Sequence, residues 1–345
     1  MDQLMHEIRQ QPEILASLTT KHYAQFERAA SAIRARQVSN VLIAARGTSD
    51  NAARYAQYLL GHQHRLPVAL ATPSLYTLYK TPPALKDALV IGISQSGTSP
   101  DIIAVIEDAR SQGMLTLAIT NAADSPLSQA AELVTDCHAG QERSVAATKT
   151  YTAQLASIAL LSAALGADGS VLATLREIPQ AIEQTLAQSD ALETVSKRYA
   201  DLTHAAVIGR GFNYCTAFEI ALKVGELAYV AATPYSSADF MHGPIALVEP
   251  GYVVLLVAPT GTILPEMQDL AKTLREREAD LLVVSDDADT LALASTAMPL
   301  PPGIPEWASP LVAVIPGQLL AHHLAFAKGY DPVQPRSLKK VTKTL

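Results

Sequence analysis

The fold of this chain is decided by the stretch Ala88-Leu89-Val90-Ile91-Gly92-Ile93-Ser94-Gln95-Ser96-Gly97-Thr98-Ser99. Its apolar half predicts a buried strand, and a run with helical spacing follows from Asp101 to Gln112. Gly97 allows a sharp turn, the hydroxyls donate hydrogen bonds, and the helix N-terminus offers free N–H groups and a partial positive charge. The stretch therefore predicts a phosphate-binding loop. Because it lacks a lysine and the GxxxxGK[ST] pattern, we expect a small phosphorylated metabolite rather than a nucleotide.

Strand and helix patterns alternate along the rest of the chain. The predicted strands are Val41–Ala45, Ala88–Ile93, Leu115–Ile119, Ala205–Ile208, Val253–Ala258 and Leu281–Val284. The predicted helices are Asn51–Leu60, Asp101–Gln112, Tyr151–Leu165, Ala217–Leu227 and Pro265–Arg277, after a helical N-terminal segment. Continuously apolar strands that alternate with helices are typical of an α/β fold, in which helices cover both faces of a parallel sheet.

The pattern occurs twice at a nearly constant offset. The landmark pairs are Gly47 with Gly211 and Gly97 with Gly261, each 164 residues apart, and Asn121 with Asp286, 165 apart. We therefore expect two tandem copies of one α/β unit. In place of the Ser94 loop the second copy has Ala258-Pro259-Thr260-Gly261-Thr262, which has two hydroxyls fewer and lacks the amide side chain and one N–H donor. This predicts one phosphate site per chain.

The predicted domain boundaries follow from this repeat. We expect an N-terminal helical segment at 1–36, a first phosphate-binding domain at 37–186, a second domain at 187–330, and an irregular tail at 331–345. The second domain would carry the reactive side chains described below.

Composition narrows the function classes. The 345 residues are 49% hydrophobic and 17% charged with a net charge of −7, which indicates a globular protein. The absence of a basic stripe disfavours nucleic-acid binding. The two cysteines do not predict a disulfide framework, and no metal or cofactor signature occurs. The first residues show no export signal and the apolar helical stretch Leu155–Leu165 is too short to span a bilayer, so we expect a cytoplasmic protein without a membrane partner.

Two polar segments near the Ser94 loop are candidates for binding. Arg46–Asn51 follows a predicted strand, and its Ser, Asp and Asn either cap a helix or face a ligand. The ligand-binding interpretation is favoured, because this segment and the Ser94 loop follow adjacent strands of one parallel sheet, and ligands bind at the carboxyl ends of such strands. Glu142 either holds sugar hydroxyls, or is a solvated charge or a carboxylate in the first turn of the helix that follows.

Reactive side chains are concentrated in the second copy. Glu219, Lys223 and Glu226 share one helix face, as a surface ion pair or as a proton-transfer group in a cleft. His242 precedes Gly-Pro in a predicted loop and would act as an acid or base near neutral pH. The pair His322-His323 lies in an apolar helix-like run, which favours core or interface histidines over a metal site.

Taken in order, these motifs resemble the SIS (sugar isomerase) family, and within it the isomerase half of the glucosamine-6-phosphate synthases. The motifs are Glu7-Ile8 with Gln11-Pro12, Gly47-Thr48-Ser49, Ser94-Gln95-Ser96-Gly97, Val145-Ala146 with Thr148-Lys149, Ala221-Leu222-Lys223 with Glu226, His242-Gly243-Pro244, and Gln334-Pro335-Arg336. The resemblance implies two tandem SIS domains, each a flavodoxin-like three-layer sandwich.

The resemblance also implies residue roles. It assigns the phosphate to Ser94, Gln95, Ser96 and Ser99 with help from Ser49, and sugar contacts to Thr48 and Val145. Glu226 would move a proton between C1 and C2 with support from Lys223, and Lys340 would form a Schiff base with the keto sugar. In the family, the histidine at the position of His242 reaches in from a partner subunit to open the sugar ring, which implies a homodimer.

The implied reaction is the deamination of glucosamine 6-phosphate. Residue 2 is Asp where a glutaminase would need a nucleophilic cysteine, so we expect no glutaminase activity and a reaction that releases ammonia. A phosphofructosamine deglycase, a galactosamine-6-phosphate deaminase and an aldose–ketose isomerase are alternatives on the same scaffold. A non-catalytic sugar-phosphate sensor is an alternative of another class.

Overall fold

The computed structural model describes residues 1–167, 169–337 and 340. Within this part of the chain the first sheet has five parallel strands in the order β2-β1-β3-β4-β5. They are β1 Asn40–Ala44, β2 Val68–Leu70, β3 Ala88–Ser94, β4 Leu115–Thr120 and β5 Leu133–Asp136. The connections leave β1 and β3 in opposite directions, so a crevice opens at the carboxyl ends of these two neighbouring strands.

The second sheet repeats this topology. Over the same described ranges it has five parallel strands in the order β10-β9-β8-β6-β7. They are β6 His204–Gly209, β7 Ala231–Ser236, β8 Val253–Val257, β9 Asp280–Ser285 and β10 Thr296–Pro299. The central strands of both sheets are almost wholly buried under apolar helix faces. The predicted fold class, two tandem α/β domains with parallel sheets, is confirmed.

Helices cover the sheets and form the N-terminal segment. The α-helices are α1 Gln3–Arg9, α2 Gln11–Lys21, α3 Ala24–Arg36, α4 Gly47–His64, α5 Ser74–Thr77, α6 Pro100–Ser111, α7 Pro126–Ala130, α8 Lys149–Gly166, α9 Gly169–Leu186, α10 Ser189–Ser196, α11 Tyr214–Ala228, α12 Ser237–Met241, α13 Leu264–Glu276, α14 Ala288–Leu291 and α15 Pro310–Ala327. Short 3₁₀ turns lie at Lys197–Tyr199, Gly211–Asn213 and Pro244–Leu247.

The chain folds into two compact units that are not simply its two halves. The Ser94 unit comprises Glu13–Glu142 and Lys149–Arg176, together with the segment that contains Lys340. The Glu226 unit comprises Met1–Pro12, Arg143–Thr148 and Glu177–Leu338. The domain boundaries drawn from the sequence remain predictions.

Helix α15 as a whole is more apolar than α8, the helix that contains the Leu155–Leu165 stretch. Among the described residues it is the one helix whose length and composition would suffice to cross a bilayer, with a mean hydropathy of 1.4. The protein buries 89% of it. A helix that is apolar on all sides and buried in this way is typical of a domain core.

Candidate functional site

The Ser94 loop forms a tight, polar turn at the carboxyl end of β3. Gly97 has a φ of +62°, and a side chain there would overlap Ser125. The Gly97 N–H donates to the buried Ser94 Oγ at 3.1 Å, and the hydroxyls of Ser96 and Thr98 are 2.9 Å apart. Ser99 is the N-cap residue of α6, yet its side chain makes no capping hydrogen bond. The predicted loop therefore gathers hydroxyls and a helix N-terminus around a turn that requires glycine.

The loop after β1 lies beside it, because β1 and β3 are paired in the sheet. Helix α4 begins at Gly47, so Thr48 and Ser49 lie inside its first turn and the capping interpretation of this segment is wrong. The buried Ser49 Oγ accepts a hydrogen bond from Gln154 Nε2 at 3.0 Å. Arg46 Nε donates to Asp101 Oδ2 of α6 at 2.8 Å and so joins the two strand-end loops.

Asp50 follows Ser49 but is engaged elsewhere. Its carboxylate pairs with Arg54 at 3.1 Å, and burial raises the pKa of Asp50 above its usual value despite this partner. We therefore assign Asp50 to the internal structure of α4.

Glu142 and Lys340, both predicted as site residues, contact each other in the Ser94 unit. The buried Glu142 Oε2 accepts hydrogen bonds from Lys340 Nζ at 3.0 Å and from Thr150 Oγ1 at 2.6 Å. Its Oε1 accepts from the Thr150 N–H, at 3.2 Å, in the first turn of α8. Glu142 therefore lies seven residues before α8 and not in its first turn, although its carboxylate accepts hydrogen bonds from that turn. The ion pair with Lys340 is a contact that the sequence did not reveal.

The Glu226 unit carries the acid–base side chains on α11. Lys223 Nζ lies 2.5 Å from Glu226 Oε2 and 3.6 Å from Glu219 Oε1. Lys223 and Glu219 are buried, whereas the Glu226 side chain is 25% exposed. This face is therefore not a surface ion pair. It consists of a buried lysine between two carboxylates, one of which reaches solvent.

His242 lies at the C-terminal end of α12 and is exposed. Its Nδ1 is 2.7 Å from the carbonyl oxygen of Ala238. Since a carbonyl only accepts, Nδ1 must carry the proton, and in the neutral ring Nε2 holds the lone pair. The ring is therefore oriented and can accept a proton at Nε2.

Glu7 is a residue whose role the sequence did not indicate, although its motif was noted. Its carboxylate accepts hydrogen bonds from the backbone N–H groups of Arg143, at 2.5 Å, and Ser144, at 3.2 Å. Gln3 Nε2 also donates to it at 2.9 Å. Glu7 thereby fixes the backbone immediately before the half-buried Val145, a predicted sugar contact, within the Glu226 unit.

We expect Glu7→Ala to lower the free energy of unfolding by about 2–3 kcal/mol, because two backbone donors, one of them buried, lose a charged acceptor. Hydrogen exchange should accelerate at the Arg143 and Ser144 amides. The matched control is Gln3→Ala, which leaves both backbone bonds intact and should change these amides little. Unchanged protection at both amides in Glu7→Ala would contradict the assignment.

Both histidines of the His322-His323 pair have polar partners within the protein. His323 pairs with Ser189 at 3.0 Å, and burial lowers its pKa to about 4. His322 Nε2 lies 2.8 Å from Asp2 Oδ2, in agreement with the core interpretation of this pair. Burial raises the pKa of the Cys137 thiol to about 12. Within the described part of the chain no group of three or more His, Cys, Asp or Glu residues is arranged to hold a metal ion.

Comparison with known proteins agrees with this geometry. Residues 35–164 and 199–328 both match the SIS domain. Glutamine–fructose-6-phosphate aminotransferase (isomerizing) of Legionella pneumophila strain Paris is 36% identical over 307 residues, which are 88% of this chain and 51% of that protein. The chain thus spans about half the length of the curated relatives it matches.

Two solved structures are similar to this chain over nearly its whole length. The C-terminal domain of glucosamine-fructose-6-phosphate aminotransferase from Francisella tularensis superimposes with a TM-score of 0.89 at 26% identity, covering 97% of this chain and 98% of that chain. A protein from Silicibacter pomeroyi described as a phosphosugar isomerase superimposes with a TM-score of 0.85 at 30% identity, covering 96% and 100%.

Proposed function

Because this chain belongs to the SIS-domain family of sugar-phosphate isomerases, related to the isomerase domain of glucosamine-fructose-6-phosphate aminotransferase, we propose that its activity is the deamination of glucosamine 6-phosphate. The observation that carries the proposal is the partly exposed Glu226 held at 2.5 Å by the buried Lys223, in a chain that also has the Ser94 loop. The first supplies a proton-transfer group and the second an anchor for a phosphate.

The phosphate would bind the Ser94 loop. Hydroxyls, a helix N-terminus and a glycine turn are the groups that hold a small phosphate ester without a lysine. The assigned binding residues are Ser49, Thr48, Ser94, Gln95, Ser96 and Ser99, with Val145 and Glu142 toward the sugar.

The reaction requires a base that later acts as an acid. His242 opens the sugar ring by proton transfer, and Glu226 removes the proton from C2 of the open-chain amino sugar to give an enolamine. Return of the proton to C1 gives an imine at C2. Water adds to this imine, and loss of ammonium leaves fructose 6-phosphate. The step is balanced by one water per ammonium released.

Two further features belong to the proposal. Lys340, which pairs with Glu142 at 3.0 Å, is assigned to a Schiff base with the keto sugar. The exposure of His242 suits a homodimer in which His242 of the partner subunit acts on the sugar. We also propose a cytoplasmic location. The chemistry calls for neither a metal nor a cofactor.

The test is an assay of the purified chain on glucosamine 6-phosphate with no glutamine or ammonium added. Under these conditions mass action drives the shared imine toward hydrolysis, so ammonium and fructose 6-phosphate should form in equal amounts. A parallel panel of galactosamine 6-phosphate, a phosphorylated fructosamine and fructose 6-phosphate separates the alternatives. If the protein released no ammonium from glucosamine 6-phosphate but turned over another member of the panel, the proposed substrate would be wrong. The membership of the SIS-domain family would be unaffected.

A further inference from the structure

Glu306 occupies the place in the Glu226 unit that corresponds to the phosphate loop of the Ser94 unit. Its Oε2 accepts the Thr262 N–H at 2.7 Å, and a side chain on Gly261 would overlap its carboxyl group. Glu306 Oε1 lies beside Gly211, because a Cβ placed on Gly211 would be 3.9 Å from that oxygen. A negative charge thus lies against the loops that follow β6 and β8.

These two loops are the structural counterparts of the predicted phosphate site. β6 and β8 are neighbours in their sheet as β1 and β3 are in theirs, with the same reversal of connection. Thr262 lies 164 residues after Thr98, as Gly261 lies after Gly97. The crevice at such a reversal is where ligands of parallel sheets bind.

The ion pairs around the two crevices also correspond. In the Ser94 unit, Arg46 before Gly47 pairs with Asp101 in the first turn of α6. In the Glu226 unit, Arg210 before Gly211 pairs with Glu266 in the first turn of α13 at 2.5 Å. The second crevice therefore keeps its framework, although its loop has lost hydroxyls and an N–H donor.

We propose that the β6–β8 crevice is a second anion site and that the Glu306 carboxylate is its built-in occupant. The chain keeps one phosphate site because its own side chain fills the other, rather than because the second loop has lost all capacity to hold an anion. Removal of the carboxylate frees the Thr262 N–H and the space beside Gly261 for a small oxyanion, for which inorganic phosphate is the probe. This inference does not depend on the proposed reaction.

The first experiment follows the Thr262 amide by NMR while inorganic phosphate is added, with chloride at equal ionic strength as the reference. In the wild type the amide should not respond. In Glu306→Ala it should shift with a saturable dependence on phosphate. The control Glu249→Ala removes the same charge from an exposed position of this unit and should behave as the wild type. A Thr262 amide that ignores phosphate in Glu306→Ala would overturn the proposal.

The second experiment is a double-mutant cycle that needs no ligand. Gly261→Ala should lower the Tm by roughly 3 °C in the wild type, because the new methyl group overlaps the carboxylate. In the Glu306→Gln background the overlap persists, so Gly261→Ala should lower the Tm as it does in the wild type. In the Glu306→Ala background the overlap is gone, so Gly261→Ala should lower the Tm by less than about 1 °C. An equal cost in all three backgrounds would show that Glu306 does not fill the crevice.

Discussion

Glu226→Gln is expected to lower kcat for ammonium release by about 10²–10⁴-fold while sugar-phosphate binding persists. Of the side chains Glu219, Lys223 and Glu226 on α11, only the Glu226 carboxylate reaches solvent. The glutamine amide that replaces it cannot accept and return a proton. Lys223 keeps its other partner, Glu219, at 3.6 Å, so the substitution leaves no buried charge alone. The fold should survive the change.

The measurement pairs turnover with binding. Steady-state ammonium release gives kcat, and calorimetric titration with the nonreactive analogue glucitol 6-phosphate gives Kd. Glu193→Gln is the matched control, because its side chain is 56% exposed and pairs only weakly with Lys197 at 3.7 Å. It should leave both values within about twofold of the wild type.

The outcome also separates an enzyme from a sensor. Loss of turnover with retained Kd in Glu226→Gln supports the assigned base. Full turnover in this variant would remove Glu226 from the mechanism. Binding of the analogue by a wild type that turns over no member of the substrate panel would favour the non-catalytic sensor.

The sequence predicted those parts of the fold whose signals are local. The strand Ala88–Ser94 is continuous, apolar and wholly buried, and it ends in a glycine turn, so twelve adjacent residues are enough to identify it. The edge strands β2, β5, β7 and β10 were not predicted. Val68–Leu70, for example, is short and has no buried residue, so neither hydrophobicity nor alternation marks it.

Contacts between distant residues account for what the sequence did not indicate at the candidate site. Glu142 and Lys340 are separated by 198 positions, and Glu7 and Arg143 by 136. No spacing rule connects residues so far apart, because the fold alone determines which loops meet. The Glu219–Lys223–Glu226 row was predictable since i,i+4 geometry is local, but the depth of its burial depends on packing that periodicity does not describe.

Gly97→Ala is expected to lower the free energy of unfolding by about 2–4 kcal/mol and to weaken sugar-phosphate binding at least tenfold, by order of magnitude. Two effects combine. The φ of +62° strains any residue with a side chain, and the new methyl group would overlap Ser125. Relief of the overlap must move the loop that carries Ser96 and Thr98, and with it the proposed phosphate site.

Gly113→Ala separates the two effects. Gly113 has a φ of +78° in the turn after α6, and nothing lies within 4 Å of its hypothetical side chain. This control should cost only the backbone strain, about 1 kcal/mol, and leave binding unchanged. Chemical denaturation and calorimetry with glucitol 6-phosphate give both quantities for each variant.

Ser125→Gly supplies the complementary test, since it removes the atoms that Gly97→Ala would strike. Ser125 also caps α7 by accepting the Ser128 N–H, but glycine is itself tolerated as an N-cap residue, so the single change should cost only about 0.3 kcal/mol. The double variant should nevertheless be more stable than the sum of the two changes, because the overlap is gone and only strain and the lost cap remain. Strict additivity of the two stability changes would contradict the overlap between a side chain at position 97 and Ser125. Sugar-phosphate binding that survives Gly97→Ala would mean that the Ser94 loop does not hold the phosphate through this turn.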